Sequence, residues 1–274
     1  MNLQKKDIHQ FQQSIFSWWG ENRRDLPWRR TCDPYRIFIS EVMLQQTQVS
    51  RVLPKYTEFL RVFPTVFDLA QASPAHILRI WKGMGYNRRA LYLFRAAKTI
   101  VGEYQGKFPK SEKELIKLPG LGRYTARAIL VFAYEKDVPL VDTNIRQIIT
   151  HFFFNDKPQK ESDIEDVARQ LLPKGKSWEW HQALMDYGAL AMKSEKLKVK
   201  NVKKAAVPFK ESDRFYRGRI VNRLRDGAIP EQELIDEVAR GNDKPIAYIR
   251  TIIASLITDG LIDRSSRGFL RLPR

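Results

Sequence analysis

The sequence predicts an all-α protein with a small additional segment at its end. Over most of the 274 residues, apolar side chains recur at helical spacing, as they do in residues 5–20. A tight Leu-Pro-Gly-Leu-Gly turn at 118–122 joins two such helical patterns. Short β-like runs occur only at 261–264 and 268–272. The helical period therefore dominates, and it sets the predicted fold class.

The first part of the chain is predicted to contain several helices separated by polar loops. An amphipathic helix spans 5–20, and a basic loop at 21–30 follows it. A second helical segment begins at Pro34, and the polar residues 45–48 interrupt its apolar pattern. Two or three further helices are predicted over 64–104. Hydrogen-bonding side chains in place of apolar ones at 45–48 are expected of a surface that meets bases.

One acidic residue of the second helical segment is unusual. Glu41 lies among apolar residues, with Phe38 and Val42 near it in the sequence. A lone carboxylate in apolar surroundings is costly unless it is paired, protonated or functional. A glutamate that faces solvent is the alternative interpretation, and the pattern leaves both open.

The turn at 118–122 suits an anion. Gly120 and Gly122 can adopt positive φ and let a phosphate approach the backbone. The next helix is predicted to start near Arg123, where free N–H groups and the helix dipole favour a negative charge. This anion site needs no contact to a base.

A second candidate acid follows that helix on a short loop. Residues 141–144 have the sequence Val-Asp-Thr-Asn, which places Asp142 just after an apolar step. Asp142 is either a functional carboxylate or the N-cap of the helix that follows. The pattern of this stretch alone does not separate the two interpretations.

Aromatic residues beside arginines are candidate contacts to bases. Trp28 lies in the basic loop 21–30, and Tyr86 lies with Arg88 in the loop 83–89. An aromatic ring in such a loop can stack on a base or enter a base stack. A core position for Trp28 and an ordinary helix–helix turn at 83–89 are the alternatives.

The net charge is the strongest global feature. Lysine and arginine outnumber aspartate and glutamate 48 to 31, which gives a net charge of +17 and a pI near 9.9. Such an excess favours a polyanion as partner, because neutralised phosphates release counterions. A membrane surface is the rival, weakened by the lack of a long basic amphipathic helix with an aromatic face. No apolar run approaches ~20 residues, so no membrane span is expected.

The start of the chain and the cysteine count bear on compartment and cofactors. Residues 1–13 contain an acid and no apolar h-region, so no signal peptide is expected. Cys32 is the single cysteine, which cannot supply a disulfide framework, an iron–sulfur cluster or a zinc finger. We therefore expect a cytoplasmic protein that binds no metal and no cofactor.

A change in composition at Lys193 predicts a domain boundary. Residues 193–211 are rich in lysine and are interpreted as an exposed basic linker. Three helical patterns and the two β-like runs then follow over 212–274. This is the element order of a winged helix, so we predict a small winged-helix-like domain there.

Five motifs together resemble the helix-hairpin-helix DNA glycosylases, and most closely their MutY-type adenine glycosylases. The motifs are LPWRR, SEVMLQQTQV, GMGY, LPGLGRYTA and VDTN, in family order within residues 8–192. The resemblance implies a glycosylase domain at 1–192 with two lobes and an active site in the cleft between them. One lobe is a six-helix barrel at about 28–134, and the other combines 1–27 with 135–192.

The resemblance also implies roles for individual residues. Glu41 matches the family's acid, which protonates the leaving base, and Asp142 matches the carboxylate that stabilises the sugar cation. Tyr124 and Asn144 match positions that orient these two groups. Residues matching those around the flipped base are Arg24, Trp28, Arg29, Leu44 and Gln182. Residues placed on the DNA are Gln46, Thr47, Tyr86, Arg88, Gly120, Gly122 and Arg123, of which Gln46 and Tyr86 would enter the vacated stack.

Tyr124 bears on the reaction type. Related bifunctional enzymes have lysine at this place and cleave the strand through a Schiff base, which tyrosine cannot form. A monofunctional glycosylase is therefore expected. Relatives that remove thymine from T·G mismatches also have tyrosine here, so a thymine or uracil glycosylase is the second hypothesis. A non-catalytic DNA-binding protein on the same scaffold is the third, and the pair Glu41 and Asp142 argues against it.

Two features depart from the family pattern. Met192 occupies the place of the first of four cysteines that hold an iron–sulfur cluster, so a clusterless member is expected. The usual C-terminal domain that inspects 8-oxoguanine is missing, and 212–274 stands in its place. We expect 212–274 to extend the DNA footprint and raise affinity for any duplex, with protein docking as the alternative. The expected partner is duplex DNA with a mismatched or oxidised base pair, bound by a monomer.

Overall fold

Helices dominate the described part of the chain. The computed structural model describes residues 2–196, 208–240 and 244–274, with the backbone alone for 193–196. The helices of these residues are α1 Lys5–Asn22, α2 Pro34–Leu44, α3 Val49–Val62, α4 Val66–Gln71, α5 Pro74–Ile80, α6 Arg88–Tyr104, α7 Glu112–Leu115, α8 Arg123–Tyr134, α9 Thr143–Phe154, α10 Glu161–Leu171, α11 Ser177–Lys196, α12 Asp213–Leu224, α13 Glu231–Ala239 and α14 Ile246–Thr258. Short 3-10 turns lie at Pro27–Arg29 and Phe209–Glu211. The predicted all-α class is confirmed.

Local sequence explains where several helices begin and end. Thr65 and Asp68 form a reciprocal capping box at α4, and Ser73 accepts from the backbone N–H of His76 at the start of α5. The polar run at 45–48 separates α2 from α3, and Gln46 adopts a φ of 52° there. A residue in this left-handed region stops the helical hydrogen-bond pattern.

Contacts between Cα atoms divide the chain into two compact units. One unit holds the described residues of Met1–Glu41, Phe108–Lys117 and Leu121–Val202. Its core includes an aromatic cluster around Phe11, whose ring lies 5.1 Å from Phe153 and 6.0 Å from Trp180. Edge-to-face packing of this kind adds to the stabilisation from burial alone.

The other unit holds the described residues of Val42–Lys107, Leu118–Gly120 and Lys203–Arg274. Its small antiparallel sheet has the order β1 (Ile229–Pro230), β3 (Phe269–Arg271), β2 (Asp263–Arg264). Ile229 pairs with Leu270, and Asp263 pairs with Arg271. The sequence did not predict β1, because a strand of two residues shows no alternation.

The C-terminal elements share this unit with residues 42–107. The Arg225 guanidinium donates to the Leu78 carbonyl at 2.9 Å, and the Ala75 N–H donates to the Pro273 carbonyl at 3.0 Å. The residue ranges of the two units differ from those of the two predicted lobes and of the predicted 212–274 domain. The bounds of the lobes and of that domain remain predictions. Most of the predicted linker 193–211 lies outside the described residues. In the described part of the chain, no helix combines the length and the apolar character needed to cross a bilayer.

Candidate active site

Glu41 is a buried carboxyl group with a strongly raised pKa. It lies in the last turns of α2, is 8% exposed, and follows Ser40, which is 1% exposed. Burial raises the pKa of Glu41 to about 7, and the negative charge of Asp142 adds to the effect. A hydrogen bond from Tyr124 lowers this pKa in part. Glu41 is therefore near its titration midpoint at neutral pH, and the solvent-facing alternative is wrong.

Tyr124 is the hydrogen-bond partner of Glu41. It lies in the first turn of α8, and burial together with the charges of Glu41 and Asp142 raises its pKa well above the usual value. The phenol therefore keeps its proton at neutral pH and acts as a donor to the carboxylate.

Asp142 caps a helix and contributes charge to the same cluster. Its Oδ1 accepts the Ile145 N–H at 2.7 Å at the start of α9, and its Oδ2 accepts from Asn144 Nδ2 at 3.1 Å. Burial raises the pKa of Asp142, and these two bonds work in the opposite direction. The N-cap interpretation is confirmed, and the functional role of Asp142 stays a prediction that its electrostatic effect on Glu41 supports.

Gly188 allows Asn144 to sit where it does. A Cβ built on Gly188 in α11 would lie 2.6 Å from the Asn144 Cβ and 3.2 Å from the Asn144 Cα. These are closer than side chains approach one another, so only glycine fits against the start of α9. No local sequence pattern predicts this contact, because it joins residues far apart in the chain.

We expect Gly188→Ala to destabilise the protein by roughly 1–3 kcal/mol, as overpacked sites do, because the added Cβ displaces Asn144. Thermal unfolding followed by circular dichroism measures this loss. The matched control is Gly102→Ala in α6, where nothing lies within 4 Å of the added Cβ. That change should leave stability unaltered or raise it slightly. Equal behaviour of the two variants would contradict the packing argument.

His181 holds the segment that leads to Asp142. Its Nε2 accepts the Leu140 N–H at 2.9 Å, and its Nδ1 donates to the Ser177 carbonyl at 2.7 Å. Burial lowers the pKa of His181 to about 4, so the ring is neutral at physiological pH. A protonated ring has no free lone pair for Leu140, and the neutral form is therefore the one that fits. No sequence pattern points to His181, because its partner Leu140 lies 41 positions earlier in the chain.

The raised pKa of Glu41 predicts that the stability of the protein depends on pH. A group whose pKa is higher in the folded than in the unfolded chain costs stability as pH rises between the two values. The wild type should therefore lose stability relative to Glu41→Gln between pH 4.5 and about 7. The difference should reach roughly 3 kcal/mol above that window. Urea unfolding of both proteins at pH 5 and pH 8 measures it, and a gap independent of pH would refute the buried titrating carboxyl.

Two of the predicted base-pocket residues are bound to one buried acid. Asp186 is 0% exposed and accepts from Arg29 Nη1 at 2.7 Å, from Arg29 Nη2 at 2.8 Å and from Arg24 Nε at 2.5 Å. Arg29 is buried, whereas the Arg24 side chain is 27% exposed. Trp28 and Gln182 are also buried, at 7% and 5% exposure. The bidentate contact with Asp186 fixes the plane of the Arg29 guanidinium, and the single contact from Nε ties Arg24 to the same carboxylate.

Several predicted site residues lie in the unit that contains Val42–Lys107. Leu44 is half-buried at the end of α2, and Gln46 is exposed. Thr47 Oγ1 accepts from Arg89 Nη2 at 3.0 Å, and Arg88 donates to the Tyr92 hydroxyl at 2.9 Å. Tyr86 is half-buried in a turn with positive φ.

The hairpin glycines differ from one another. Gly120 has a φ of 78°, and a Cβ there would lie 2.4 Å from the Tyr92 Cβ, so glycine is required. Gly122 has a φ of −87° and caps α8, so the expected positive φ at Gly122 is wrong. Nothing lies within 4 Å of a Cβ at Gly122, which leaves its surroundings open. Arg123 binds Glu112 at 3.1 Å and Glu165 at 2.9 Å, so its guanidinium is already paired.

The residues present do not fit the family's iron–sulfur cluster. The cluster needs several thiolates, and the sequence has one cysteine, Cys32, which is exposed. Met192 is buried at 5% exposure. Among the described residues, no group of three or more His, Cys, Asp or Glu side chains is placed to hold a metal ion.

Comparison with known proteins identifies the family. Residues 39–174 match the model of the HhH-GPD superfamily of base excision DNA repair proteins. An adenine DNA glycosylase of Mycolicibacterium smegmatis is 35% identical, over 93% of this chain and 93% of the relative. An adenine DNA glycosylase of Mycobacterium tuberculosis is 32% identical, over 95% of this chain and 92% of the relative.

A solved structure of a thermostable thymine-DNA glycosylase is also similar. It is 31% identical, has a TM-score of 0.64, and the match covers 68% of this chain and 87% of that one. The part of this chain that matches the superfamily includes Glu41, Tyr124 and Asp142. The chain is therefore a DNA glycosylase of the HhH-GPD superfamily of base excision DNA repair proteins, in the family of the adenine DNA glycosylases.

Proposed function

We propose that the protein hydrolyses the N-glycosidic bond of adenine mispaired with guanine or 8-oxoguanine in duplex DNA. The observation that carries the proposal is the pair of buried Glu41 and half-buried Asp142, with the pKa of Glu41 raised to about 7. Simple DNA binding needs no buried acid of this kind. The names of the relatives at 32–35% identity support adenine as the base.

The two carboxyl groups divide the chemistry. Glu41 in its protonated form donates a proton to a ring nitrogen of the leaving adenine, so that the base departs as a neutral molecule. The bond electrons leave with the base, and the sugar becomes an oxocarbenium-like cation. The negative charge of Asp142 stabilises this cation until water adds to it, and the proton that the water loses returns to the Glu41 carboxylate. Tyr124 supports this division, because its hydrogen bond orients the Glu41 carboxyl.

The reaction ends at the abasic site. Strand cleavage by related enzymes requires an amine that attacks the sugar carbon, and the phenol of Tyr124 supplies none. The reaction as proposed needs neither a metal nor a cofactor, since proton donation and charge stabilisation come from the protein itself. A monomer contains the complete set of proposed site residues.

A second candidate function rests on one observation. The thymine-DNA glycosylase structure is 31% identical, which is comparable with the identity of the adenine-specific relatives. Removal of thymine or uracil from T·G or U·G pairs is therefore the alternative. Thymine departs through its ring nitrogen as an anion whose charge spreads onto its two carbonyl oxygens, whereas adenine leaves readily only after a second ring nitrogen is protonated. A protonated Glu41 therefore favours adenine.

The test is a panel of end-labelled duplexes that contain A·G, A·8-oxoG, T·G or U·G. Alkali after incubation converts abasic sites to breaks, and parallel samples without alkali report strand cleavage. We expect alkali-dependent breaks at A opposite G or 8-oxoG and intact strands without alkali. Breaks only in the T·G and U·G duplexes would establish the alternative. No product with any duplex would overturn both enzymatic proposals.

A further inference from the structure

The turn that carries Tyr86 is held in an unusual backbone conformation. Gly83 and Gly85 have φ values of 90° and 68°, and Tyr86 itself has a φ of 45°. Trp81 Nε1 donates to the Gly85 carbonyl at 3.0 Å, and Arg89 donates to the Met84 carbonyl at 3.1 Å. Non-glycine residues seldom adopt such φ values, so the surrounding hydrogen bonds maintain the turn.

A residue from the C-terminal segment lies directly on the Tyr86 side chain. Arg214, in the first turn of α12, stacks with its guanidinium carbon 3.9 Å from the centre of the Tyr86 ring. Its Nη1 also donates to the Tyr86 hydroxyl at 2.7 Å. Stacking fixes the plane of the ring, and the hydrogen bond fixes its outer end.

The far end of α12 contacts the same region of the chain. Arg225, which follows the last residue of α12, donates to the Leu78 carbonyl at 2.9 Å and to Asn87 Oδ1 at 3.2 Å. Asn87 is the neighbour of Tyr86 in sequence. The residue after the C-terminal end of α12 is thus held beside the turn, and Arg214 at its N-terminal end contacts the Tyr86 ring.

A cavity of about 910 Å³ lies where these elements meet, with Gln45, Gln46, Arg51, Tyr86 and Arg214 among the side chains that line it. Amides and arginines beside an aromatic ring are suited to a nucleotide, since they bind base edges and phosphates. Tyr86 and Gln46 are the residues expected to enter the DNA stack. Arg214 therefore belongs to the surface that would meet the mispair.

We propose that Arg214 is a positioning residue for Tyr86, through which the C-terminal segment contributes to the choice of mispair. This inference rests on the proposed function of the site, and it goes beyond an added module that binds any duplex. Arginine suits the position, because its planar group stacks and donates at the same time. Lysine has the charge without the plane.

The experiment compares Arg214→Ala, Arg214→Lys and a matched control with the full-length wild type. The control is Arg223→Ala, which removes one arginine from the same helix at an ion pair with Glu237 of 2.7 Å. Equilibrium affinity for an A·8-oxoG duplex and for the matched A·T duplex is measured at several salt concentrations. The expected result is a loss of preference for the mispair on the order of tenfold in both Arg214 variants. Their salt dependence should equal that of the control.

A double-mutant comparison separates a positioning role from a general one. If Arg214 acts through Tyr86, Arg214→Ala should change the preference little in a Tyr86→Leu background. Circular dichroism of each variant shows that it is folded. Arg214→Ala could instead weaken binding to both duplexes by the same factor and reduce the slope of log affinity against log salt concentration by about one. That result would indicate a phosphate contact and would overturn the proposal. Full rescue by lysine, or an unchanged preference, would overturn it as well.

These outcomes are distinct from failure of the proposed function. Absence of base release by the wild type in the duplex panel would remove the enzymatic proposal. The affinity ratio would still report on Arg214, because it does not depend on catalysis. A wild type without any preference for the mispair would refute the inference about Arg214 directly.

Discussion

The Glu41→Gln variant is expected to bind DNA with wild-type affinity and to release the base at least about 100-fold more slowly. Glutamine has the shape of the protonated acid, and its amide oxygen can accept the hydrogen bond from Tyr124. An amide does not donate a proton to a leaving base at neutral pH. The loss corresponds to ~2.7 kcal/mol of transition-state stabilisation.

Single-turnover base release with enzyme in excess measures this step without interference from product dissociation. The matched control is Glu103→Gln, the same exchange at an exposed position in α6. It should react at the wild-type rate. A Glu41→Gln rate within about tenfold of wild type, which is ~1.4 kcal/mol, would rule out the proton-donor role.

The sequence predicts the fold class, and it singles out Glu41 and Asp142 as candidate acids, which interact electrostatically in the structure. Helical periodicity extends along the chain and depends only on near neighbours, so the positions of most helices followed from it. Glu41 was notable because it interrupts an apolar pattern, and the structure places it among those apolar residues. Asp142 satisfied the local rule for an N-cap, which the structure also confirms.

Residues that act through distant partners could not be predicted. Gly188 matters because α9 packs against it, and His181 matters because it accepts the Leu140 N–H. Asp186 binds two arginines that lie more than 150 positions earlier in the chain. Such contacts depend on which faces meet in the folded chain, and nothing in a local pattern specifies that.

The contact between Arg214 and Tyr86 is of the same kind. From sequence, the segment 212–274 is expected to raise affinity for any duplex, with protein docking as the alternative, because local patterns do not reveal what its helices contact. In the structure, 128 positions separate the two residues that form the hydrogen bond. The proposed role of Arg214 in the choice of mispair follows only from its contact with Tyr86 in the folded chain.

Asp142 combines two properties that a suitable substitution separates. As an N-cap it accepts the Ile145 N–H, and asparagine is as good an N-cap as aspartate. As an ionised group it supplies a negative charge, which asparagine lacks. Asp142→Asn should therefore leave the start of α9 formed and remove only the charge. Asp142→Ala removes both and should in addition lose about 1 kcal/mol of stability.

We expect Asp142→Asn to fold normally, to bind the mispaired duplex, and to release adenine at least about 100-fold more slowly than wild type, as the loss of a preorganised charge does elsewhere. The variant should also show a lower Glu41 pKa, because the charge of Asp142 contributes to raising it. The rate and its pH dependence are measured together in single turnovers, with Asp166→Asn at an exposed position of α10 as the matched control. If Asp142→Asn kept the wild-type rate while Glu41→Gln was inactive, the sugar cation would have to be stabilised by another group. A control as slow as Asp142→Asn would instead show that the loss of any surface charge produces the effect.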